Sequence, residues 1–564
     1  MTAAKEPTPA AARTLDLPLA LLTLVVTLVP LVLSGRTYSI ETAKWTTFQE
    51  GTALLLAVLA WRHAGDLGFL RRLDAAAMAY FSVCFVSFVA AGVPPSGAEQ
   101  LQAQAYQLLF YLMVRSMELD ARRFQWLGTC WLGAAVAASG VAILQVVGHY
   151  TVRFGVPWET RATGTFMQPT FLGAYLAAST VLALDRALRG RSRGEKALAL
   201  AALALVVTGL MLSLSRSGWL GAAAGGFVLV VLDRGLVAAS RSLLPFVVVG
   251  LVTLGLLLYL RPPTNLDLSR IAATSSRSNQ ERIAIWTGTV ELIRDNPWLG
   301  VGPGGFSRCF VPYSPPFLQE IFAAENMRAQ HAHSELLHVA AESGLVGLAL
   351  WLGVVVLAVK ALLAREDGTA EEELRLRRVH LGMLAALLVN AAIGLDARFA
   401  TSGMLLWYLV GMAASRQPVT REAGGVVLRR PLLVAMAVYL MWLPLDSLEA
   451  DSAKMTGAGL HMTGRSREAE PYLEKAVALR PADGEAHFLR GRNFVAMKAY
   501  AEAEAAYLDA VRMDPNNPAV YYNLAKVYIR TGEFGKARTA LARVLSINPR
   551  FELARYEMQR LERW

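Results

Sequence analysis

Long apolar runs separated by short polar loops fill the chain up to about residue 450. The runs cover 17–34, 45–61, 73–93, 101–116, 124–147, 170–184, 197–213, 218–233, 243–260, 344–364, 379–396, 402–415 and 431–446. A helix that crosses a bilayer needs about 20 predominantly apolar residues. The pattern therefore predicts an all-α, polytopic membrane bundle of about 12–13 spans, with a cytoplasmic tail over 1–16 and a transmembrane domain over 17–446.

The loops between these runs alternate in charge. Basic residues follow each even-numbered run, as Arg71 and Arg72 do after the second and Arg186 and Arg189 after the sixth. The positive-inside rule assigns such loops to the cytoplasm. The odd-numbered runs then end outside, and the longest external loop covers 261–343.

A different pattern begins at Asp451, where the chain becomes polar and rich in Ala, Glu and Arg. Pro481, Pro515 and Pro549 recur every 34 residues, which is the period of tetratricopeptide repeats. The same register aligns small residues with large partners: Gly457, Gly491 and Ala525 with Leu473, Tyr507 and Leu541. The pattern predicts a repeat domain over 451–564, with a degenerate first repeat, full repeats over 482–515 and 516–549, and a closing helix. Such arrays usually present a concave face to a protein partner.

Composition supports the membrane class and removes others. The chain has 564 residues, 54% of them hydrophobic and 18% charged, which does not suit a soluble enzyme of this length. The net charge of +11 sits mostly in short loops without interleaved aromatic residues, so we exclude nucleic acid as a partner. Cys84, Cys130 and Cys309 lie too far apart in sequence to indicate a disulfide framework or a metal site.

Several arginines lie in the predicted external loops, against the usual charge bias. They are Arg161, Arg216, Arg282 and Arg398. One such arginine is most simply a solvated or snorkelling side chain, but the set indicates an anionic ligand at the membrane surface. A predicted helix over 279–295 places Arg282 and Trp286 on one face.

The external loop ends in a histidine-bearing segment that runs into an apolar helix. His333 could exchange a proton near neutral pH at the membrane boundary, and the alternative is an interfacial residue without chemistry. His331 and His338 are weaker candidates. Glu335 and Glu342 could orient histidines, but a position on the helix surface is expected. Upstream, 300–306 formally matches a dinucleotide fingerprint, but no strand precedes it. We predict a tight loop that approaches the membrane surface or a substrate.

Three segments resemble motifs of the O-antigen ligase and polymerase superfamily. Arg216-Ser-Gly-Trp-Leu220 is similar to an Arg-x-x-x-Leu element, and His333-Ser334 followed after nine residues by Gly344-Leu-Val-Gly347 is similar to the family signature. The region around Arg282 resembles the one that carries a second essential arginine. The likeness covers roughly 150–415. Thr170 departs from it, because many relatives have Asn there.

The resemblance implies an inverting, metal-independent glycosyltransferase that needs no cofactor. Its donor would be a glycan on a polyprenyl diphosphate such as undecaprenyl diphosphate. Arg216 and Arg282 would bind the diphosphate and His333 would act as general base, with Arg161, Trp286 and Arg398 as further substrate contacts. The site and the repeats would lie on the external, periplasmic side of a bacterial cytoplasmic membrane.

The acceptor remains open at this point. Lipid A core of lipopolysaccharide would make the enzyme a ligase, another glycan a polymerase, and a protein an O-oligosaccharyltransferase. A non-enzymatic alternative is a transporter or assembly scaffold whose repeats recruit a partner. In that case the arginine and histidine set would be dispensable and the repeats essential.

Overall fold

The computed structural model describes most of the chain. The described residues are 16–33, 39–63, 69–93, 97–117, 119–147, 161–166, 168–190, 192–233, 277–325, 329–365, 368–394, 398–418, 421–422 and 430–563. The tail over 1–15 and residues 234–276, which include the ninth apolar run, lie outside them.

Within these residues the first part of the chain is almost entirely helical. Its helices are α1 (Leu17–Leu31), α2 (Ile40–His63), α3 (Arg72–Ala90), α4 (Ala98–Ser116), α5 (Ala121–Val147), α6 (Pro169–Arg189), α7 (Arg193–Leu212), α8 (Arg216–Leu232), α9 (Arg277–Asp295), α10 (Phe306–Cys309), α11 (Pro316–Glu325), α12 (Glu335–Leu363), α13 (Glu371–Ala392), α14 (Ala400–Ala414) and α15 (Arg430–Met462). A short 3-10 turn, Val311–Tyr313, separates α10 from α11. The two-residue strands β1 (Phe69–Leu70) and β2 (Arg421–Glu422) pair antiparallel.

The remaining helices form the repeat array. They are α16 (Ser466–Leu479), α17 (Gly484–Ala496), α18 (Tyr500–Met513), α19 (Pro518–Thr531), α20 (Phe534–Ile547) and α21 (Glu552–Glu562). The predicted full repeats are the pairs α17–α18 and α19–α20, and α21 is the closing helix. The end of α15 pairs with α16 in place of a complete first repeat.

The predicted register of small and large residues explains the packing of the array. A Cβ atom added at Gly491 would lie 2.5 Å from the Tyr507 ring, and one at Gly457 would lie 2.7 Å from the Leu473 side chain. Only a residue without a side chain leaves room for these partners, because core packing is as dense as in crystals. The predicted repeat fold is confirmed.

Each predicted apolar run coincides with a helix, except the run over 243–260, which falls among the residues not described. Six described helices are long and apolar enough to cross a membrane: Arg72–Ala90, Ala121–Val146, Pro169–Arg189, Arg193–Leu212, Glu335–Leu363 and Leu433–Met462. Shorter apolar helices cover Leu17–Leu31, Arg216–Leu232 and Ala400–Ala414. The predicted polytopic helical bundle is confirmed, and the number of thirteen spans stays a prediction.

Basic loops meet at one end of this bundle. Arg375 lies 2.6 Å from Asp185, and Arg416 lies 2.6 Å from Glu373. The Arg71 guanidinium donates to the carbonyl of Ala414 at 2.7 Å. These loops follow the second, sixth, tenth and twelfth runs, so the loops predicted to share one side of the membrane lie together.

The long loop before α12 forms a small unit at the opposite end. Its own apolar core contains Ile285, Leu292, Phe306, Phe310 and Leu318. The predicted helix over 279–295 is present as α9 and ends before Asn296-Pro297. This unit therefore has a fixed shape on which side chains of the candidate site can be held.

Candidate functional site

Three arginines converge where α7, α8 and α9 meet. Arg161 donates to the carbonyls of Ser213 and Leu214, both at 3.2 Å, at the end of α7. Arg216 opens α8, and its guanidinium donates to the Asn279 side chain of α9 at 2.5 Å. Leu214 adopts the left-handed region with φ of 50°, which folds the chain back between the two helices.

Arg282 projects from α9 toward the same place. Its Nη1 donates to the carbonyl of Ile393, at the end of α13, at 3.0 Å. Burial, followed by the charge of Arg216, lowers the pKa of Arg282. Burial lowers the pKa of Arg161 to about 10, with further contributions from Arg282 and Arg216. Because each cation destabilises the others, a bound anion would relieve the repulsion.

His333 lies beside Arg282 in the short loop before α12. Its φ of 51° places a non-glycine residue in the left-handed region, which costs energy unless the surroundings fix it. Burial, followed by the charges of Arg282 and His338, lowers the pKa of His333 to about 4. The imidazole is therefore neutral near pH 7 and can accept a proton.

These groups open onto one cavity of about 990 Å³. Arg161, Arg282 and His333 line it, together with His331 and the segment 168–170, which carries Thr170. Arg216 does not line the cavity. It is exposed at the first turn of α8, and its charge lowers the pKa of Arg161 and of Arg282. The structure thus brings four of the predicted site residues together.

The opposite wall of this cavity comes from the repeats. Its lining includes Asp483, Phe488, Arg492, Asp514, Asn517 and Phe551. The inter-repeat turns hold the array against the small unit before α12: Asn516 donates to the Arg308 carbonyl at 2.9 Å and Asn548 to the Gln319 carbonyl at 3.0 Å. Arg480 also pairs with Glu99 and Arg550 with Glu320. The repeats therefore lie against the segment that carries His333.

Two predicted substrate contacts lie outside the cavity lining. Arg398 is buried and pairs with Glu342 at 2.6 Å and with Glu335 at 3.7 Å. The half-buried Trp286 indole N–H has no hydrogen-bond partner within the described residues. The structure therefore does not bring Arg398 to the cavity with the other arginines, and its contact with substrate stays a prediction.

The carboxylates themselves correct another expectation. Glu335 and Glu342 are each only 2% exposed, so the prediction that they lie on a helix surface is wrong. Glu342 Oε1 accepts from the Gly304 backbone N–H at 3.0 Å and lies 3.3 Å from His338 Nε2. In the sequence, the only sign that Glu342 contacts His338 is their i, i+4 spacing on one helix.

The predicted tight loop over 300–306, called the glycine-rich loop below, packs against protein as well as against the cavity. Gly344 interrupts α12 with φ of 68° and ψ of −177°, and the N–H of Leu345 donates to the Pro297 carbonyl at 2.7 Å. The Val301 N–H donates to the Ala341 carbonyl at 2.9 Å. The predicted tight loop is therefore used first for contact with the α12 kink, while Gly304 lines the cavity. In the described ranges, no group of three His, Cys, Asp or Glu side chains could hold a metal ion.

Comparison with known families agrees with this architecture. Residues 201–352, which contain Arg216, Arg282 and His333, match the family described as O-antigen ligase. Residues 463–518 and 494–558 match two families described as tetratricopeptide repeat. The resemblance seen in the motifs is confirmed.

Two curated relatives match a shorter stretch. The human protein O-mannosyl-transferase TMTC3 is 35% identical over 91 residues, or 16% of this chain and 10% of the relative. The mouse protein of the same name is 36% identical over 90 residues, with the same coverage. The chain thus spans about a tenth of the length of these relatives. This chain combines a polytopic membrane bundle, in which residues 201–352 match the O-antigen ligase family, with C-terminal tetratricopeptide repeats.

Proposed function

We propose that this protein transfers a saccharide from a polyprenyl-diphosphate carrier to an acceptor outside the bacterial cytoplasmic membrane. The observation that carries the proposal is the meeting of Arg161, Arg282 and a neutral His333 in one cavity at the end of the bundle opposite the basic loops. The donor enters from the membrane with its lipid, so its diphosphate reaches the arginines at the helix ends first. The O-antigen ligase domain supports this class of reaction.

The arginines act on the leaving group. Guanidinium groups form charge-assisted, bidentate hydrogen bonds with phosphate oxygens. Arg216 and Arg282 bind the diphosphate and stabilise the charge that develops on it as the bond to the anomeric carbon breaks. Arg161, held by the carbonyls at the end of α7, adds a further positive charge. The diphosphate is a good leaving group, so the transfer proceeds without metal or cofactor.

His333 acts on the nucleophile. Its imidazole takes the proton of an acceptor hydroxyl while the hydroxyl oxygen attacks the anomeric carbon, which inverts that carbon. A pKa of about 4 makes a free imidazole a weak base. A bound diphosphate offsets the positive charge of Arg282, and this raises the pKa of His333 toward the working pH. Donor binding thus prepares the base.

The acceptor in this proposal is lipid A core or another glycan, as for an O-antigen ligase or polymerase. Protein O-glycosylation is the second candidate, and two observations favour it. The repeats form the cavity wall that faces the arginines, and the curated relatives are named protein O-mannosyl-transferases. A concave repeat surface is suited to an extended peptide.

A transfer assay with the purified full-length protein tests the proposal. A synthetic polyprenyl-diphosphate glycan is supplied with lipid A core, a glycan or a Ser/Thr peptide, in the presence of chelator. We expect transfer by the wild type and loss with His333→Ala or Arg282→Ala. Arg294→Ala is the matched control, because Arg294 is exposed on the same helix as Arg282. Full transfer by His333→Ala would refute the role of the base, and full transfer by Arg282→Ala would refute its role in binding the diphosphate. No transfer by the wild type to any of the acceptors would favour the scaffold alternative.

A further inference from the structure

A chain of buried polar side chains lies directly behind the His333 loop. His338 Nδ1 accepts a hydrogen bond from the Ala332 backbone N–H at 3.2 Å, and His338 Nε2 lies 3.3 Å from Glu342 Oε1. Glu342 Oε2 accepts from Arg398 Nη1 at 2.6 Å. His338, Glu342 and Arg398 are 1%, 2% and 7% exposed. Water therefore does not compete for these bonds.

The direction of each bond in this chain is fixed by chemistry. A ring nitrogen that accepts a hydrogen bond carries no proton, so the proton of His338 lies on Nε2 and points at Glu342. The carboxylate of Glu342 is held from its other side by the Arg398 guanidinium. The imidazole of His338 is thereby locked in one orientation, with its acceptor aimed at the residue before His333.

Glu342 also connects these buried side chains to the glycine-rich loop. Its Oε1 accepts from the N–H groups of Gly304 and Phe306, at 3.0 and 3.4 Å. The Phe306 ring packs 4.7 Å from the His338 ring, centre to centre. One carboxylate therefore connects α12, the segment before α14 and the glycine-rich loop.

We propose that His338, Glu342 and Arg398 are positioning residues that hold Ala332 and, through it, the left-handed backbone of His333. A non-glycine residue keeps a positive φ only where its surroundings fix it. The inference rests on the proposed function, because a general base in the loop must be held in one conformation. It also gives Arg398 a role that does not require contact with substrate.

Two substitutions of His338 separate its two bonds. Asn in His338→Asn places its amide oxygen near the position of Nδ1, so it can still accept from the Ala332 N–H. Gln in His338→Gln reaches the position of Nε2, so it can still donate to Glu342 but leaves Ala332 without its acceptor. His380→Gln is the matched control, because His380 is a fully buried histidine of α13 that does not line the cavity.

The first measurement does not depend on catalysis. Diethyl pyrocarbonate modifies neutral, accessible imidazoles, and mass spectrometry gives the modification rate of His333 as a function of pH. Arg282 on α9 and His338 on α12 lower the pKa of His333, and His331 in the same loop and Arg161 line the same cavity. We expect His338→Gln to speed modification at least about threefold and to move its midpoint above pH 4, because the released His333 gains water. His338→Asn and His380→Gln should match the wild type.

The second measurement is the transfer assay on the same proteins. We expect His338→Gln to lower kcat roughly 10- to 100-fold, as a misplacement of about 1 Å can do, with little change in the KM for the donor. Equal modification rates of His333 in all variants would overturn the inference, as would an equal loss in His338→Gln and His380→Gln. Failure of the wild type to transfer, with the modification pattern intact, would refute the proposed function and leave the positioning established.

Discussion

Substitution of Gly344, which forms the kink of α12, is the most stringent test of how the site is assembled. Its backbone has φ of 68° and ψ of −177°, a region that is essentially restricted to glycine. A Cβ atom at this position would lie 2.0 Å from the carbonyl oxygen of Trp298 and 2.5 Å from the Leu299 nitrogen. These neighbours are backbone atoms, so they cannot move aside without the whole loop.

Gly344→Ala therefore has two costs. The strained conformation costs about 1–3 kcal/mol for a non-glycine residue. Overpacking against a well-packed neighbour costs about 1–3 kcal/mol more. A loss of roughly 2–6 kcal/mol follows if the loop stays in place. If the loop moves, the bond from the Leu345 N–H to the Pro297 carbonyl breaks, and the Glu342 carboxylate loses the N–H groups beyond it.

Thermal unfolding in detergent and the transfer assay measure these outcomes. Gly353→Ala is the control, because Gly353 lies in the same helix and, among the described residues, no atom of another element stands within 4 Å of an added Cβ. Alanine there gains helix propensity, worth up to about 1 kcal/mol. We expect Gly344→Ala to unfold at a clearly lower temperature and to lose at least about tenfold in transfer. Identical unfolding and activity in the two variants would refute the steric reasoning.

Three further predictions concern the cavity. Arg282→Ala removes charge-assisted bonds worth about 1.5–3 kcal/mol, so kcat/KM for the donor should fall roughly 10- to 150-fold; an unchanged value would exclude diphosphate binding there. Because His333 must be neutral, kcat/KM should fall as the pH drops through about 4. The corresponding fall in kcat should occur at a higher pH, because bound diphosphate raises the pKa of His333. A fall in kcat and in kcat/KM at the same pH would contradict this coupling. Asn548→Ala combined with Arg550→Ala should raise the KM for the acceptor while the donor KM stays constant, and Arg560→Ala, on the exposed closing helix, serves as control. An equal rise in both KM values would show that the repeat wall does not contact the acceptor.

Local patterns made much of this fold predictable. The 34-residue period fixes which residues of the repeats must be small, and Gly491 against Tyr507 follows directly from it. The apolar runs likewise predict the helices of the bundle, because the apolar side chains of each helix must be buried in the protein or face the lipid. The residues whose function depends on their own chemistry, such as His333 and Arg282, could also be recognised from sequence.

Contacts between distant elements could not be predicted in this way. Glu342 reads as a surface residue because its partner Arg398 lies 56 positions away on another segment. From sequence, the glycine-rich loop is expected to approach the membrane surface or a substrate. Its actual partner is the kink of α12, which Gly344 produces, and a single residue leaves no periodic pattern from which the kink could be predicted. The docking of the repeats depends on Asn516 and Asn548, which are ordinary polar residues until the carbonyls opposite them are known.

The continuous helix α15 joins the bundle to the repeat array. It runs from Arg430 to Met462, packs on α2 in its first part and pairs with α16 in its last part, and Asp451 accepts from the Ser39 N–H at 2.9 Å on the way. A helix advances 1.5 Å and turns 100° with each residue. Removing one residue from this joint would swing the whole array by more than a quarter turn. A chimera with repeats from another protein would thus work only if residues are inserted into or removed from α15 in numbers that restore the helical phase, about seven residues for two turns.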